Sequence, residues 1–443
     1  MQILRAVGRA LEWAGPRRAG VPTPRWVTAQ ALDPGFPEAD SAYHALRFAG
    51  DGRLYFTLCT HRIDTHARLG GFDPASGRVE FLLDVGAALG DDAGRTLPQG
   101  KIHVSPVEVD GRLYLATMLG YYATDRRGRG PYPGFHLLAL DLRTRAVTDL
   151  VRGPAGEGLI TGVLDPSRLL YYGLTYPSGL FCRVDLTAGA LTVSPRPGDD
   201  RPLGPTIHGR PLYPICRSLA LDENGAVYGS CRDGSIWRAE PGGEPRPLPG
   251  LNVRHGAVPP TDGEGLRNGF WRVVIWHPED RCFYGLHAGT QSLFRFDARA
   301  GRIEPLVRLS PTGLRHRGHA PFGSQLGLTC GPRRMLHHLA HGPAATRPGQ
   351  STPRTTAYLL SYDLDRGLVE DHGPLRTEGG DRVLFAESLV DGPRGDLYTM
   401  AWVEVVDGEA RRYRRLRAEA SSAECGGETY RMMLLRLPLG DAG

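Results

Sequence analysis

The sequence predicts an all-β fold, a seven-bladed β-propeller, from three observations: a repeat along the whole chain, a strand pattern within each repeat, and an incomplete last repeat. Seven times, a polar residue is followed 11 positions later by a bulky residue that ends a strand. Successive polar residues lie 59, 58, 56, 55, 53 and 62 positions apart, and a fixed period over a whole chain is typical of repeat folds. These leading residues are His44, His103, Thr161, Arg217, Arg272, Gln325 and Glu387.

Each repeat continues with a hairpin that joins a third strand to a fourth. Asp73 and Gly77 illustrate the turn, in which Asp begins the reversal and Gly takes the positive-φ position four residues later. Four antiparallel strands make one blade, so we expect a single domain with blades over 24–443 and inner strands near residues 44, 103, 161, 217, 272, 325 and 387. A ring of six or eight blades, or a stacked solenoid, is the alternative.

The seventh repeat ends after its third strand, in the segment TYRMMLLRLPLG at 429–440. A missing fourth strand would leave an open edge, which propellers avoid by closing the ring. The segment RWVTAQAL at 25–32 is therefore predicted to pair with the last blade. Residues 1–23 are expected to form an amphipathic helix or arm, because charged residues interrupt its apolar positions.

Composition excludes several classes of function. The net charge of +5 is small for 443 residues and no basic run carries interleaved aromatics, so no nucleic-acid partner is expected. The seven cysteines are scattered without CxxC spacing, which is typical of reduced thiols. No segment resembles a leader or a membrane span. We expect a cytoplasmic protein with no membrane partner and no nucleotide cofactor, and the oligomeric state stays open.

The leading residues begin the inner strands, so they should converge at one end of the ring axis. Two arginines there need anions, and Glu387 can neutralise only one of them. Second strands return to the same rim, where the sequence places Met118, Tyr176, Arg232 and Trp402, with His61, His287 and His341 within two residues of the equivalent position. We expect a pocket for a small anionic or carbohydrate ligand. The candidate binding residues are Arg217, Arg272, His44, Gln325, Glu387 and Trp402.

The richest stretch for chemistry is LPQGKIHVSPVEVDGRLYLATMLGYY. Lys101, the only lysine, and His103 are two apart on a strand and so point to the same side. Tyr121 and Tyr122 follow at the rim, and Tyr176 lies in the next blade. A histidine with a phenol and a nearby Arg suits proton abstraction beside a carboxylate. The candidate catalytic residues are His103, Tyr176, Tyr121 and Lys101.

The strings KIH, GRLYLAT, GYY, PGFHLLALD and LYYGLTYPSG resemble a broad group of bacterial propeller proteins over about residues 40–240. More distantly, they are similar to the propeller-fold polysaccharide lyases that act on ulvan. The resemblance implies β-elimination beside a uronate, with His103 at the inner-strand His position and Tyr176 and Arg217 at the Tyr and Arg positions. The second His position falls near Met118.

A divalent ion (Ca, Mn or Zn) is a further expectation. His44 and His103 lie on adjacent blades and could share an ion with Glu387 or Gln325. A second group, His316, His319, His337, His338 and His341, surrounds the sixth blade near Gln325. It is similar to the His and Gln set that holds a divalent ion in oligogalacturonate lyases, also propellers. The candidate metal ligands are His44, His103, His319 and His341.

The sequence thus favours a lyase-like enzyme that acts on an anionic small molecule or oligosaccharide. The alternatives are a non-catalytic propeller that serves as a binding or assembly scaffold, and an isomerase or tailoring enzyme of a biosynthetic pathway. Fold alone does not separate them, because propellers host both enzymes and scaffolds.

Overall fold

The chain forms a ring of seven antiparallel blades, which confirms the predicted all-β propeller. A computed structural model describes residues 26–91, 94–198, 201–254, 270–288, 290–311, 327–343, 355–405, 414–415 and 429–439. The predicted helix or arm at 1–23, Gln325 and His319 lie outside these residues. No helix within the described ranges is both long and apolar enough to cross a membrane.

Strand β1 (Val27–Leu32) precedes the first blade. The first blade contains β2 (Leu46–Phe48), β3 (Leu54–Leu58), β4 (Arg68–Asp73) and β5 (Arg78–Asp84). The second contains β6 (Val107–Val109), β7 (Arg112–Ala116), β8 (His136–Asp141) and β9 (Val147–Arg152). The third contains β10 (Gly158–Asp165), β11 (Leu170–Tyr176), β12 (Phe181–Asp185) and β13 (Ala190–Ser194). A separate hairpin follows, made of β14 (Thr206–Ile207) and β15 (Arg210–Pro211).

The fourth blade contains β16 (Ala220–Leu221), β17 (Val227–Ser230), β18 (Ser235–Ala239) and β19 (Arg246–Asn252). The fifth contains β20 (Trp271–His277), β21 (Cys282–His287), β22 (Ser292–Asp297) and β23 (Arg302–Arg308). The sixth contains β24 (Leu328–Gly331), β25 (Met335–Pro343), β26 (Thr355–Asp363) and β27 (Leu368–Thr377). The seventh contains β28 (Val383–Ala386), β29 (Val390–Asp391), β30 (Leu397–Glu404), β31 (Arg414–Arg415) and β32 (Thr429–Leu437). A short helix, α1 (Val85–Leu89), follows the first blade, and Asp84 caps its N-terminus.

The N-terminal strand β1 closes the ring as predicted, and it also pairs with a second blade. The second half of β1 pairs antiparallel with β32, with Gln30 opposite Arg436, and so supplies the fourth strand of the seventh blade. The first half of β1 pairs parallel with β27 of the sixth blade, with Val27 opposite Leu375. One strand therefore joins two neighbouring blades in a continuous sheet. This leaves neither outer edge free where the ring begins and ends.

Apolar residues between the blades form the core. The largest cluster contains Tyr172, Phe181, Tyr228, Trp237 and Phe283 and spans the third, fourth and fifth blades. Inner strands are irregular where they approach the axis. The ladder of the fifth blade skips Arg272, between Trp271 and Val273, and a bulge of this kind redirects a side chain out of the regular alternation.

Candidate functional site

Four of the predicted leading residues lie in one group: His44, His103, Arg217 and Arg272. The imidazole rings of His44 and His103 lie 6.2 Å apart. His44 hydrogen-bonds to the backbone of Arg217, which belongs to a blade three positions away along the chain. Burial first, and then the positive charges of Arg272 and Arg217, lower the pKa of His44 to about 3. Side chains from the first, second, fourth and fifth blades therefore share one polar centre.

His103 has the same character as His44. Burial holds its pKa well below the usual histidine value, and Arg217, His44, Lys101 and Arg272 add to the effect in that order. Its Nδ1 is buried and accepts or donates no hydrogen bond within the described ranges. The ring is thus a neutral imidazole that is surrounded by cations.

Lys101 is the most enclosed cation of the centre, at 2% exposure. Its Nζ donates to the hydroxyl oxygens of Tyr43, at 2.7 Å, and Tyr122, at 2.8 Å. No carboxylate of the described part of the chain approaches Nζ within 4.0 Å. A buried ammonium group normally has such a partner, so this arrangement is unusual.

Glu387 is a buried carboxylate that interacts with Lys101 and Arg272 of this group. Its Oε2 accepts from the backbone N–H groups of Ala42, at 2.5 Å, and Tyr43, at 2.8 Å. Burial raises the pKa of Glu387 to about 6, although these two donors and Lys101 act in the opposite direction. The carboxylate therefore fixes the first blade's entry loop, and part of its charge is committed to backbone donors.

The entry loop holds Tyr43 in a strained conformation. Its φ is +55°, in the left-handed region that non-glycine residues seldom adopt. This turn lets Tyr43 stack on His103, with 4.1 Å between ring centroids, while its hydroxyl reaches Lys101. Strain of this kind is maintained by surrounding contacts and concentrates at functional sites.

A second histidine reaches the centre from the rim. His61 Nδ1 lies 2.7 Å from Oδ1 of the buried Asp40, and its backbone N–H donates to the other carboxylate oxygen at 3.0 Å. His61 Nε2 faces the hydroxyl of Tyr43 at 3.5 Å. The side chain of His61 is 36% exposed, whereas that of Asp40 is 4% exposed. Asp40, His61, Tyr43 and Lys101 thus form a polar chain from solvent to the axis.

The two rim tyrosines of the second blade have different surroundings. Tyr122 contacts Lys101, and its ring lies 5.7 Å from that of Tyr176. Arg217 Cζ lies 5.8 Å from the Tyr176 ring, so Tyr176 belongs to the centre as predicted from the sequence. Tyr121 instead donates to the carbonyl of Asp125 and stacks on His208 of the β14–β15 hairpin. Tyr122 is therefore the tyrosine that contacts the central group.

Two other predicted residues pack within or against the seventh blade. Trp402 stacks between Phe385, at 4.7 Å, and Tyr430, at 4.8 Å. His341 stacks on Phe385 and accepts from the backbone N–H of Ala386 at 3.0 Å. The stacking contacts of Trp402 lie within the seventh blade, and the contacts of His341 join the sixth blade to the seventh.

A divalent ion stays a prediction. No group of three or more His, Cys, Asp or Glu side chains within the described ranges is arranged to hold one. His338 Nδ1 lies 2.7 Å from the carbonyl oxygen of Gly327, and His337 Nδ1 lies 2.8 Å from Ser361 Oγ. The sixth-blade histidines of the described residues thus bond to neighbouring segments of their own blade or to the seventh blade.

A cavity of about 140 Å³ lies beside the centre rather than at it. It is lined by Leu119, Pro131, Tyr132, Ala155, Gly156, His208 and Arg210. Arg210 already pairs with the buried Glu157 at 2.9 Å, and Glu157 also accepts from the backbone N–H of Ser178. Because its cation is neutralised, this cavity is a weaker candidate for an anion than the centre, where positive charge is in excess.

Four residues of the centre were not among the predicted site residues: Asp40, Tyr43, His61 and Tyr122. The sequence placed His61 near the rim without a role. Tyr43 directly precedes the leading His44, and that adjacency was the available signal. Strand alternation would have turned the two side chains to opposite sides, whereas the left-handed turn at Tyr43 does not follow that rule.

Comparison with known structures supports the fold. The WD40 repeats of RRP9 are similar to 95% of this chain and 100% of that chain, with 11% identity and a TM-score of 0.53. A protein from Lactobacillus plantarum is similar to 86% of this chain and 99% of that chain, with 12% identity and a TM-score of 0.50. No protein-family model matches the chain, and no curated protein matches it in sequence. At this level of identity the likeness concerns the propeller fold alone.

Proposed function

We propose that the axial centre binds a carboxylate-bearing small molecule, of the uronate class, and that His103 removes a proton next to that carboxylate in a β-elimination. The observation that carries the proposal is the excess of positive charge around His103. Lys101, Arg217 and Arg272 all lower the pKa of His103. The nearby carboxylate, Glu387, is bound to two backbone N–H groups.

Arg272 supports the anion most directly. Burial and the charge of Arg217 lower the pKa of Arg272 to about 9, although a guanidinium normally stays charged far above that value. Its charge is therefore costly in this environment. A bound carboxylate would offset that cost, and a guanidinium suits a carboxylate because its fork of donors matches the two oxygens.

His103 has the properties of a base that works only with substrate present. In the free protein its pKa lies well below the usual histidine value. A carboxylate between the arginines would cancel part of the positive field and so raise the pKa of His103 toward the range of an effective base. The same carboxylate makes the neighbouring C–H bond more acidic when the arginines neutralise it.

Tyr43 and Tyr122 are the candidate acids. Burial raises the pKa of both phenols above the usual tyrosine value, so both keep their protons. In the elimination, His103 takes the proton from the carbon beside the carboxylate and the electron pair forms the new C=C bond. The C–O bond to the leaving group breaks, and a tyrosine hydroxyl donates the proton that the leaving oxygen needs. His61 and Asp40 can then reprotonate Tyr43 from solvent.

The proposal is tested by binding and by turnover. Calorimetric titration with galacturonate should show binding to the native chain and a loss of about tenfold or more in Arg217→Gln and Arg272→Gln, which remove one charge each. The matched control is Arg281→Gln, because Arg281 is exposed and pairs with Glu223 away from the axis. Equal affinity in all four proteins would contradict the anion site.

Turnover is followed by the ultraviolet absorbance of the new conjugated double bond on uronate oligosaccharides. His103→Gln should abolish it, and His277→Gln, a buried histidine at the far end of β20, should not. Galacturonate binding without any turnover by the native chain would support the binding scaffold instead of the enzyme.

A further inference from the structure

Lys101 has a feature that anion binding does not explain. It is the only lysine among 443 residues, although 52 arginines supply the other positive charges (53 − 1). Its Nζ is buried and contacts two phenol oxygens instead of a carboxylate. Arginine could supply a charge equally well, but only lysine offers a primary amine that can act as a nucleophile.

We propose that Lys101 captures the carbonyl carbon of a 2-oxo acid as an imine. This deepens the proposed function and rests on its anion site: the ligand would carry a carbonyl group directly next to the carboxylate that Arg217 and Arg272 bind. Lys101 Nζ donates to Tyr122, whose ring lies 5.7 Å from that of Tyr176, and Arg217 Cζ lies 5.8 Å from the Tyr176 ring. The amine and this guanidinium therefore belong to one cluster. A carboxylate and an adjacent carbonyl would fit that arrangement.

The neighbours of Lys101 supply the proton transfers that imine formation needs. Nζ must first lose a proton, and it donates to Tyr43, whose hydroxyl faces His61 Nε2. The neutral amine then attacks the carbonyl carbon, a C–N bond forms, and the carbonyl oxygen takes a proton from a phenol. The resulting hydroxyl leaves as water after a second protonation. The nitrogen loses its last proton as the C=N bond forms, so one amine and one carbonyl give one imine and one water.

Asp40 orients His61, which is the solvent end of this proton-transfer path from Lys101. It holds Nδ1 of His61 and leaves Nε2 facing Tyr43. Since the His61 side chain is 36% exposed, protons released from Lys101 can reach solvent without passing through the crowded axis. A lysine that served only to balance charge would need neither the two phenols nor this link.

The test uses the single lysine as its own reporter. The full chain is incubated with pyruvate and sodium cyanoborohydride, which reduces an imine to a stable secondary amine, and the label is located by peptide mass mapping. The only other primary amine is at the N-terminus and falls in a different peptide. The expected result is a reduced pyruvyl adduct on Lys101 and its loss in Lys101→Arg.

A surface amine provides the matched control. In the double variant Lys101→Arg, Arg143→Lys, the new amine stands in the exposed turn after β8. Lys101 of the native chain should take up about tenfold more label than the amine introduced at position 143 does at the same pyruvate concentration, because only Lys101 has a carboxylate site beside it. Equal labelling of both positions, or no label on Lys101, would overturn the proposal.

A second probe separates this idea from the anion site. Lactate has the carboxylate of pyruvate but no carbonyl, so it can bind and cannot form an imine. Lactate or galacturonate binding without a pyruvyl adduct would reject the imine and leave the anion site standing. If pyruvate, lactate and galacturonate all failed to bind, both the imine and the anion site would be rejected. If the adduct persisted in the double variant Arg217→Gln, Arg272→Gln, the idea that these arginines position the 2-oxo acid for Lys101 would be rejected.

Discussion

Two groups of buried histidines in this propeller differ in what surrounds them. In the axial group, His44 and His103 have pKa values that are lowered first by burial and then by Arg217 and Arg272. In the sixth-blade group, burial lowers the pKa of His337 and His338 to about 4 and that of His341 to about 3, and no arginine or lysine contributes. Similar pKa values thus arise from different physical causes.

The partners of the sixth-blade group are neutral. Ser361 Oγ lies 2.8 Å from His337 Nδ1 and 2.7 Å from His372 Nε2, so one hydroxyl links two imidazoles across three strands. Buried polar chains of this kind hold neighbouring strands in register. The comparison teaches that burial and a lowered pKa do not by themselves mark a ligand site. Several positive side chains gathered around a buried histidine are the better sign.

The largest expected effect is on solubility and stability, at the seam between the sixth and seventh blades that β1 closes. Deleting residues 1–32 removes β1 and exposes the edges of both β27 and β32, so we expect aggregated protein. Deleting residues 1–23 is the control and should leave soluble protein. Solubility and the melting temperature are the measurements. A soluble protein with native melting after the longer deletion would show that β1 does not close the ring.

The next effect tests whether the sixth-blade group is structural. Ser361→Ala leaves nitrogens of two largely buried imidazoles without their shared partner, which should lower the free energy of unfolding by about 2 kcal/mol in urea titrations. Ser76→Ala, in the exposed turn after β4, should change it by less than about 0.5 kcal/mol. Galacturonate affinity should stay unchanged in both. A change in affinity in Ser361→Ala would place the sixth-blade group within the site.

The pH dependence of stability involves both groups. Folded His44 and His341 stay neutral down to about pH 3, whereas the unfolded chain protonates them near pH 6.5. The unfolded state therefore binds more protons below pH 6.5, and the free energy of unfolding falls by about 1.4 kcal/mol per pH unit for each such histidine. Urea titrations between pH 6.5 and 4.5 should show a smaller slope in His341→Gln than in the native chain.

Glu387 changes the pH dependence of the free energy of unfolding in the opposite direction. Its pKa of about 6 in the folded protein exceeds the usual 4.5, so the folded state binds the extra proton between these values. Its contribution is fully present below pH 4.5 and is lost as the pH rises through 6. Glu387→Gln should therefore steepen the fall of stability on acidification. A slope that neither variant changes would contradict the assignment of these groups.

The smallest effect distinguishes a ligand-binding arginine from a structural one. The sign of the change in the free energy of unfolding differs between them when the arginine is replaced. Arg272→Met replaces a cation whose charge is disfavoured by burial and by Arg217, and we expect the free energy of unfolding to rise by about 1 kcal/mol while galacturonate binding weakens. Arg382→Met is the control. Arg382 donates two hydrogen bonds to the buried Glu404, so its replacement should lower the free energy of unfolding. If both substitutions lowered the free energy of unfolding, Arg272 would be a structural residue like Arg382.

The fold could be predicted because a propeller repeats its own sequence pattern, and so could the convergence of the leading residues. Lys101 and His103 were predicted from strand alternation, but Lys101 forms only an isolated bridge with Met118, and the inner strand β6 begins at Val107. Tyr43 adopts a left-handed turn, and the paired tyrosines 121 and 122 sit in a loop that has no strand period. Trp402 was placed by counting from the repeat, but it lies opposite Phe385 and Met432 in the seventh blade, and its ring stacks on that of Phe385.

The double pairing of β1 has a consequence for how the chain can be rearranged. Because Gln30 lies opposite Arg436 in an antiparallel ladder, the start of β1 and the end of β32 are neighbours in space. A short loop could connect them as an ordinary hairpin, and the backbone could then be cut in a turn of another blade. Such a circular permutant would convert a closure held by hydrogen bonds into a covalent one, and the cyclic order of the blades would be preserved.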